Sequence, residues 1–369
     1  MIYLDNGATS FHKPAAVYCA VQDAMRTCGN PGRGGYPAAM AAARKIYGCR
    51  EQAAQLFDCE PQQVALTTSC THGLNIAIRS LVKPGDHVVV SGFEHNAVTR
   101  TLHGLGAKIT VAGRKLFDWE DTLAGFEDAL RRGQEAAVFT HVSNVFGYIL
   151  PVQGLADLCR MYHTPFIMDA AQSAGTLKVS LKKLGADFIA MPGHKGLLGP
   201  QGTGLLLCAA GAEPLLFGGT GSESAMQTMP EFLPDRLEPG TLNVPGFAGL
   251  REGLRYLNRV GIDSIHHREH GQLMQCVQGL EQLGMKVFSG PHQAATVSFL
   301  AGMDCEEAAE KLAEMGIAVR AGLHCAPYAH DSAGTLESGT IRVSFGFDCS
   351  DTETYGFLRA ASKLPPFMK

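Results

Sequence analysis

The feature that most constrains the fold of this chain is an alternation of short apolar runs with helical segments between residues 64 and 208. Short apolar runs bounded by turn residues are typical of buried strands, and their alternation with helices indicates a parallel sheet. The sequence therefore predicts a mainly parallel, doubly wound α/β sheet. The predicted strands are Val64-Thr67, His87-Val90, Lys108-Val111, Ala137-His141, Phe166-Met168, Phe188-Met191 and Gly204-Cys208.

Helical periodicity continues on both sides of this region. It runs from about Pro14 to Cys28, returns in an Ala-rich stretch that ends near Phe57, and extends from about Gly246 to Leu283. A smaller α+β unit follows, with predicted strands Val287-Phe288, Thr296-Leu300, Ile317-Arg320 and Ile341-Phe345 and a helix Cys305-Met315. We expect an N-terminal segment 1–15 that packs near the small domain, a large cofactor domain 16–245 and a small C-terminal domain 246–369.

Composition excludes several classes of function. The 369 residues are 46% hydrophobic and 18% charged, as in globular proteins, and the formal charge of −4 argues against nucleic acid or an anionic membrane as partner. No secretory signal and no membrane-spanning run is present in the sequence, so we expect a cytoplasmic protein with a small-molecule ligand. The 11 cysteines form no Cys-x-x-Cys pair, and His266 to His270 lie in charged surroundings, so we expect no bound metal.

Two motifs follow neighbouring predicted strands. Asp169-Ala170-Ala171-Gln172 follows one strand, and Gly193-His194-Lys195 follows the next. The carboxyl ends of parallel strands are where α/β sheets bind ligands. A carboxylate there can hold a pyridine nitrogen protonated, and a desolvated lysine can form a Schiff base. Either motif alone also fits an N-capping aspartate or a surface lysine, but together they predict bound pyridoxal 5'-phosphate.

Three more strand ends carry candidate residues. Ser69 to Asn75 opens a helix whose N-terminus suits a phosphate, although such a start is also typical of a simple N-cap. His95 has a ring that can stack on a flat cofactor and move protons near neutral pH. Asn144 offers an amide to a cofactor or substrate, or simply forms a turn.

In this order, the motifs resemble those of class V, fold-type I pyridoxal-phosphate enzymes, in particular the group II type of cysteine desulfurases and selenocysteine lyases. The resemblance spans nearly the whole chain. The matching motifs are Tyr3 to Ala8, Arg33-Gly34, Glu94-His95, His141 to Asn144, Asp169 to Gln172, Gly193 to Lys195, Glu238 to Thr241, Arg320 to Ala326 and Ile341 to Ser344.

The resemblance implies a role for each matching residue. Lys195 binds the cofactor covalently and abstracts the substrate's α-proton, His95 stacks on the ring, and Cys325 attacks the substrate sulfur. Asp169 pairs with the ring nitrogen and Gln172 with the ring hydroxyl. The remaining implied contacts are a phosphate site of Cys70, Thr71 and His194, completed by Gly240 and Thr241 of a second subunit, a cofactor and substrate contact from Asn144, and substrate contacts from Arg320 and Arg342.

The implied activity is that of a homodimeric cysteine desulfurase. L-Cysteine would become L-alanine, and its sulfur would pass to Cys325 as a persulfide and then to an acceptor protein, for example in iron–sulfur cluster assembly. We expect His324 and Arg320 to favour the Cys325 thiolate, and Arg342 to bind the substrate carboxylate in a bidentate pair.

Several alternatives stay open at the level of sequence. They are a selenocysteine lyase, another class V aminotransferase, lyase or epimerase, and a non-catalytic cofactor sensor or sulfur-carrier binding protein. Three positions depart from the family pattern: Pro192 and Cys70 remove hydrogen-bond donors from the phosphate site, and Leu323 stands where close relatives often have histidine. The sequence identifies neither the acceptor nor the effect of these departures.

Overall fold

A computed structural model describes residues 1–32 and 34–368, so Arg33 of the second motif lies outside the described residues. The strands within these ranges are β1 (Ile2–Tyr3), β2 (Val64–Thr67), β3 (His87–Ser91), β4 (Lys108–Ala112), β5 (Ala136–Thr140), β6 (Phe166–Asp169), β7 (Phe188–Pro192), β8 (Gly204–Cys208), β9 (Lys286–Phe288), β10 (Thr296–Leu300), β11 (Ile317–Ala318), β12 (Arg320–Gly322) and β13 (Thr340–Ser344). The helices are α1 (Ala15–Thr27), α2 (Pro37–Phe57), α3 (Cys70–Leu81), α4 (Asn96–Leu105), α5 (Trp119–Arg131), α6 (Val152–Met161), α7 (Leu181–Leu184), α8 (Val244–Val260), α9 (Ile262–Gln282), α10 (Cys305–Glu314), α11 (Pro327–Ala333) and α12 (Asp351–Ala361).

A seven-stranded sheet forms the larger part of the fold, in the order β2-β8-β7-β6-β5-β3-β4. The pairs from β7 to β4 are parallel, and β8 runs antiparallel to both of its neighbours. The predicted mainly parallel sheet is confirmed, and each of its predicted strands is present. Their continuous apolar sequences follow from burial on both faces of the sheet.

Helices cover both faces of this sheet. Val89 and Phe139 point to one face and pack in a core shared with α2, α5, α6 and α8. Their neighbours Val88 and Val138 point to the other face and pack in a core shared with α3 and α4. This alternation produces the doubly wound arrangement that the sequence predicts.

A second, four-stranded antiparallel sheet has the order β12-β13-β10-β9. Its core includes Phe299, Val343 and Phe357 and is covered by α9, α10 and α12. The start of the chain is tied to this unit, because β1 pairs with β11 and Asp5 forms a bridge with Ser344. In the described ranges, no helix combines the length and apolar character needed to span a bilayer.

The continuous helix expected from Gly246 to Leu283 is wrong. Gly261, with φ +85°, separates α8 from α9, and glycine adopts this left-handed conformation without steric cost. The buried side chains of α8 belong to the core of the seven-stranded sheet, whereas those of α9 mostly pack in the second unit. The domain division at residue 245 stays a prediction, and this packing favours a boundary at Gly261.

Two other local features differ from the sequence expectations. The strand expected at Ile317-Arg320 is two strands, because β11 pairs with β1 while β12 pairs with β13. Helices α11 and α12 are not predicted from the sequence. A signal for α12 exists, since Ser350 and Glu353 form a capping box in which each side chain bonds the other's backbone N–H.

Glu269 on α9 allows a test of the packing between the two units. Its buried carboxyl has no hydrogen bond within residues 1–32 and 34–368, and burial, with a smaller contribution from Asp348, raises its pKa to about 8. Because the folded-state pKa exceeds the unfolded value of about 4.3, stability falls by about 1.4 kcal/mol per pH unit between the two values. Urea unfolding should therefore show Glu269→Gln gaining stability over wild type as pH rises from 5 to 8. An equal gain in Glu281→Gln, an exposed site on the same helix, would contradict this account.

Candidate active site

The carboxyl edge of the seven-stranded sheet gathers most of the predicted site residues. Asp169 ends β6, and Lys195 follows β7. His95 is the N-cap of α4 after β3, and Asn144 follows β5. The chain connections direct these residues to one edge because β3, β5, β6 and β7 are parallel.

Asp169 is anchored through one of its two carboxylate oxygens. The Oδ1 atom accepts a hydrogen bond from the Ala171 N–H at 2.8 Å and another from Cys70 Sγ at 3.5 Å. Burial holds the pKa of Cys70 well above its usual range, so this thiol is a neutral donor. In the described part of the chain, no hydrogen bond reaches Oδ2. This oxygen can accept a hydrogen bond from the N–H of a protonated pyridine ring. The Asp169 side chain is almost completely buried.

Lys195 lies beside Asp169 with a free amine. Its half-buried side chain lines a cavity together with Gln172 and Gly7. Across the described ranges, Lys195 Nζ has no hydrogen bond and no ion pair. Burial lowers the pKa of Lys195, while the nearby Cys70 and Asp169 raise it. A lysine with a lowered pKa has more of the neutral, nucleophilic form.

Gln172 and His95 have part of their polar groups fixed by the protein. Gln172 Nε2 donates to the Gly7 carbonyl at 3.0 Å, which leaves its Oε1 for a ligand. His95 Nδ1 accepts the Ala97 N–H at 3.0 Å, so the ring proton resides on Nε2. Burial lowers the pKa of His95 despite the opposing effect of Asp169. His95 therefore presents a neutral ring at this edge.

Donors suited to an anion lie at the start of α3 and on His194. Ser69 caps α3 by accepting the His72 N–H at 3.1 Å, and within the described residues the N–H groups of Cys70 and Thr71 have no partner. His194 Nδ1 contacts Thr9 Oγ1 at 3.1 Å, and burial lowers its pKa to about 4. Free helical N–H groups and a neutral imidazole match the requirements of a phosphate.

The structure does not place Gly240 and Thr241 at this site. Both residues are exposed and line a different cavity, together with Tyr47 and the buried Arg50–Glu238 ion pair. Within one chain they therefore add nothing to the cavity that Lys195 lines.

Cys325 is exposed and lies on a strained loop between β12 and α11. Both His324 and Cys325 have left-handed backbones, with φ of +51° and +56°. Such a conformation costs about 1–2 kcal/mol for a residue other than glycine. Two hydrogen bonds hold the loop, because Asn144 Nδ2 donates to the His324 carbonyl at 2.8 Å and the Asn96 N–H donates to the Cys325 carbonyl at 2.7 Å. The cysteine loop is thus tied to the sheet edge that carries Lys195.

The expectation that His324 favours the Cys325 thiolate is wrong, and the expectation for Arg320 stays a prediction. The His324 ring is buried, and both of its nitrogens have close neighbours. Its Nδ1 lies 3.4 Å from His330 Nε2, and its Nε2 lies 3.2 Å from the Arg320 carbonyl oxygen. Burial lowers the pKa of His324 to about 3, so the ring carries no charge near neutral pH. The guanidinium of Arg320 pairs with Asp5 at 3.0 Å, and within the described residues no hydrogen bond or ion pair joins it to Cys325. Adjacency in sequence could not show which way these side chains point.

Arg342 forms an ion pair with Asp5, a residue of the Tyr3 to Ala8 motif for which the sequence predicts no role. Its Nη2 donates to Asp5 Oδ1 at 2.6 Å, and its Nη1 donates to the Asn144 carbonyl at 3.0 Å. Two buried atoms here, Arg342 Nε and Asn144 Oδ1, have no partner among the described residues. The sequence contains only a weak signal for this role of Asp5, since the two ends of the ion pair are 337 residues apart.

The residues present fit pyridoxal phosphate and an amino acid. Free Asp169 Oδ2 suits the ring nitrogen, the neutral His95 ring suits the ring face, and the unpartnered N–H groups at the start of α3 suit the phosphate. The unpartnered Arg342 Nε and Asn144 Oδ1 suit the polar groups of an amino acid. Within the described ranges, no group of three or more metal-ligating side chains is close enough to hold an ion.

Residues 2–354 match the family model described as aminotransferase class-V. A probable cysteine desulfurase of Methanothermobacter thermautotrophicus is 32% identical over 94% of this chain and 90% of the relative. A probable cysteine desulfurase of Pyrococcus abyssi is 32% identical over 99% of this chain and 94% of the relative. The apo structure of cysteine desulfurase from Thermococcus onnurineus has a TM-score of 0.90 and 30% identity, covering 98% of this chain and 94% of that one. The expected fold is confirmed by this similarity.

Replacing Asn144 by alanine tests how the cysteine loop is held. The change removes the side-chain hydrogen bond to the His324 carbonyl but keeps the backbone carbonyl that Arg342 contacts. Losing such a bond costs about 1 kcal/mol, so amide hydrogen exchange across residues 320–330 should become several-fold faster. Asn258→Ala is a matched control, since Asn258 Nδ2 also bonds a distant carbonyl, that of Gln52. Equal exchange in both variants would contradict the anchoring role.

Proposed function

Because the chain belongs to the class-V aminotransferase family, whose members generally depend on pyridoxal phosphate, we propose that it is a pyridoxal-phosphate-dependent cysteine desulfurase. It converts L-cysteine to L-alanine and receives the sulfur on Cys325. The observation that carries this proposal is the hydrogen bond from Asn144 to the cysteine loop, which connects an exposed thiol with the edge that holds Lys195 and Asp169. The names of the relatives described above support the same activity.

Residues at the carboxyl edge would hold the cofactor. Asp169 Oδ2 would pair with the ring nitrogen, His95 would lie against the ring, and Gln172 would contact the ring hydroxyl. Lys195 would supply the amine for covalent attachment. The N–H groups of Cys70 and Thr71, together with His194 and with Gly240 and Thr241 of a second copy of the chain, would bind the phosphate.

A second copy is supported by what one chain leaves exposed. Gly240 and Thr241 are exposed and contribute nothing to the Lys195 cavity. Tyr36, Met40 and Tyr47 at the start of and along α2 are also exposed, and Tyr47 lines the cavity that contains Gly240. Exposed apolar side chains beside an incomplete site are typical of a homodimer interface.

When bound, the cofactor withdraws electrons from the α-carbon of the substrate. Lys195 takes the α-proton, because burial lowers the pKa of this amine and no partner among the described residues competes for it. Asp169 keeps the ring nitrogen protonated and is itself fixed by the Ala171 N–H. Each residue thus holds or moves one proton at a defined atom.

Arg342 and Asn144 orient the substrate for Cys325. Arg342 Nε, which has no partner in the described part of the chain, donates to the substrate carboxylate. Arg320 lies opposite Arg342 on the neighbouring strand. Cys325 Sγ, as thiolate, attacks the substrate sulfur. An S–S bond forms, and the bond from the substrate sulfur to its β-carbon breaks. The electron pair left on the β-carbon takes one proton, and Lys195 returns the α-proton, which gives alanine. The exposed position of Cys325 suits transfer of the sulfur to an acceptor protein.

Trapping the cofactor with borohydride tests the role of Lys195. The reconstituted wild type should be yellow, and reduction should attach the cofactor permanently to the peptide that contains Lys195. Lys195→Ala should retain no cofactor after denaturation, whereas the exposed-site control Lys178→Ala should behave as wild type. Covalent attachment in Lys195→Ala, measured by mass spectrometry, would refute the assignment.

Alanine release from L-cysteine and from L-selenocysteine, with reductant, tests Cys325. Cys325→Ser should lose turnover of L-cysteine by at least about a hundredfold, because the nucleophile is removed. Cys19→Ser is the matched control, since Cys19 is the other exposed cysteine among the described residues. Unchanged L-cysteine turnover in Cys325→Ser would contradict the mechanism, and selenocysteine turnover that survives the change would favour a selenocysteine lyase.

A further inference from the structure

Two arginines lie directly opposite each other in the second sheet. Arg320 on β12 and Arg342 on β13 form a cross-strand pair in the antiparallel register. Like charges at directly opposite positions destabilise a sheet, and side chains at such positions are close neighbours. A compensating anion is therefore required at this place in the fold.

Asp5 supplies that anion from the other end of the chain. One carboxylate oxygen, Oδ1, accepts from Arg342 Nη2 at 2.6 Å, and the other, Oδ2, accepts from Arg320 at 3.0 Å. Arg342 is 2% exposed, and Asp5 is 9% exposed. The Asp5–Arg342 pair is therefore weakly screened by solvent, whereas the Arg320 side chain is 52% exposed.

The backbone around Asp5 is built to approach the arginine closely. Asp5 forms a parallel bridge with Ser344, and the Gly7 N–H donates to Ser344 Oγ at 2.7 Å. A Cβ atom at Gly7 would lie 3.3 Å from Arg342 Cζ, which is tighter than ordinary contact. The absence of a side chain at Gly7 thus lets residues 5–7 wrap around the guanidinium group.

The cluster has a defined charge. Two arginines and one aspartate give one net positive charge. The other ionisable groups nearby are Tyr3, whose hydroxyl donates to the Asp5 and Thr9 carbonyls, His324, which is neutral, and Lys195, which binds the cofactor under the proposed function. Among residues 1–32 and 34–368, Arg342 Nε has no partner, so the cluster can accept one further carboxylate.

We propose that Asp5 determines substrate specificity by holding this arginine pair at one net positive charge. The arginine pair then suits an amino acid with one carboxylate and a neutral side chain. It disfavours amino acids that carry a second anionic group. Without Asp5, Arg320 is free to pair with an anionic side chain of the substrate. This inference rests on the proposed function, because it assumes that Arg342 binds the substrate carboxylate.

Binding of two amino acids that contain no sulfur to the cofactor-loaded enzyme tests the inference. L-Alanine carries one carboxylate and L-aspartate carries two, and their dissociation constants can be read from the change in cofactor absorbance. Asp5→Asn raises the net charge of the cluster by one, so L-aspartate should gain about tenfold relative to L-alanine. A similar change of both constants, or of neither, would overturn the inference.

Two further variants keep the test decisive. Arg320→Gln lowers the net charge by one and leaves the Asp5–Arg342 pair intact, so L-aspartate should lose affinity relative to L-alanine. If Asp5→Asn does not fold, a relative gain of L-aspartate in Arg320→Gln overturns the inference. Asp263→Asn, which removes an exposed ion pair with Lys178, should leave the ratio unchanged.

A wild type that takes up no cofactor would refute the proposed function, whereas a coloured enzyme with an unchanged ratio of dissociation constants refutes only the role of Asp5.

Discussion

The parallel orientation of β3, β5, β6 and β7 is the constraint on which the rest of the site depends. Each of these strands leaves the sheet at the same edge, so one polar residue after each strand is enough to build a site. His95, Asn144, Asp169 and Lys195 occupy those positions. The apolar strand interiors provide the rigid support, because they are buried between helices on both faces.

The second unit adds the groups that the edge lacks. Arg342 and Cys325 come from the C-terminal part of the chain, and each is connected to the edge through Asn144. Asn144 does this with two different groups, its side-chain amide and its backbone carbonyl. Asp5, from the first residues of the chain, then neutralises part of the arginine charge. Substrate recognition thus depends on contacts between segments that are far apart in sequence.

Much of this arrangement could be predicted from sequence, for a physical reason. Apolar strands with turn residues after them are local signals, and they predicted both the sheet and the positions of Asp169 and Lys195. Side-chain direction is not local. His324 was expected to assist Cys325, but its ring is buried against His330 and is neutral. The role of Asp5 depends on arginines more than 300 residues away, which no periodicity reveals. Gly261 separates α8 from α9, but a glycine within a helical pattern does not by itself show whether the helix ends there.

The central claim is that Cys325 receives the substrate sulfur. The most direct measurement is mass spectrometry of the cofactor-loaded enzyme after brief exposure to L-cysteine without reductant, with thiols blocked before digestion. One additional sulfur atom is expected on the peptide that contains Cys325 and on no other cysteine peptide. Release of alanine without added sulfur at Cys325, or sulfur on a different cysteine, would contradict it.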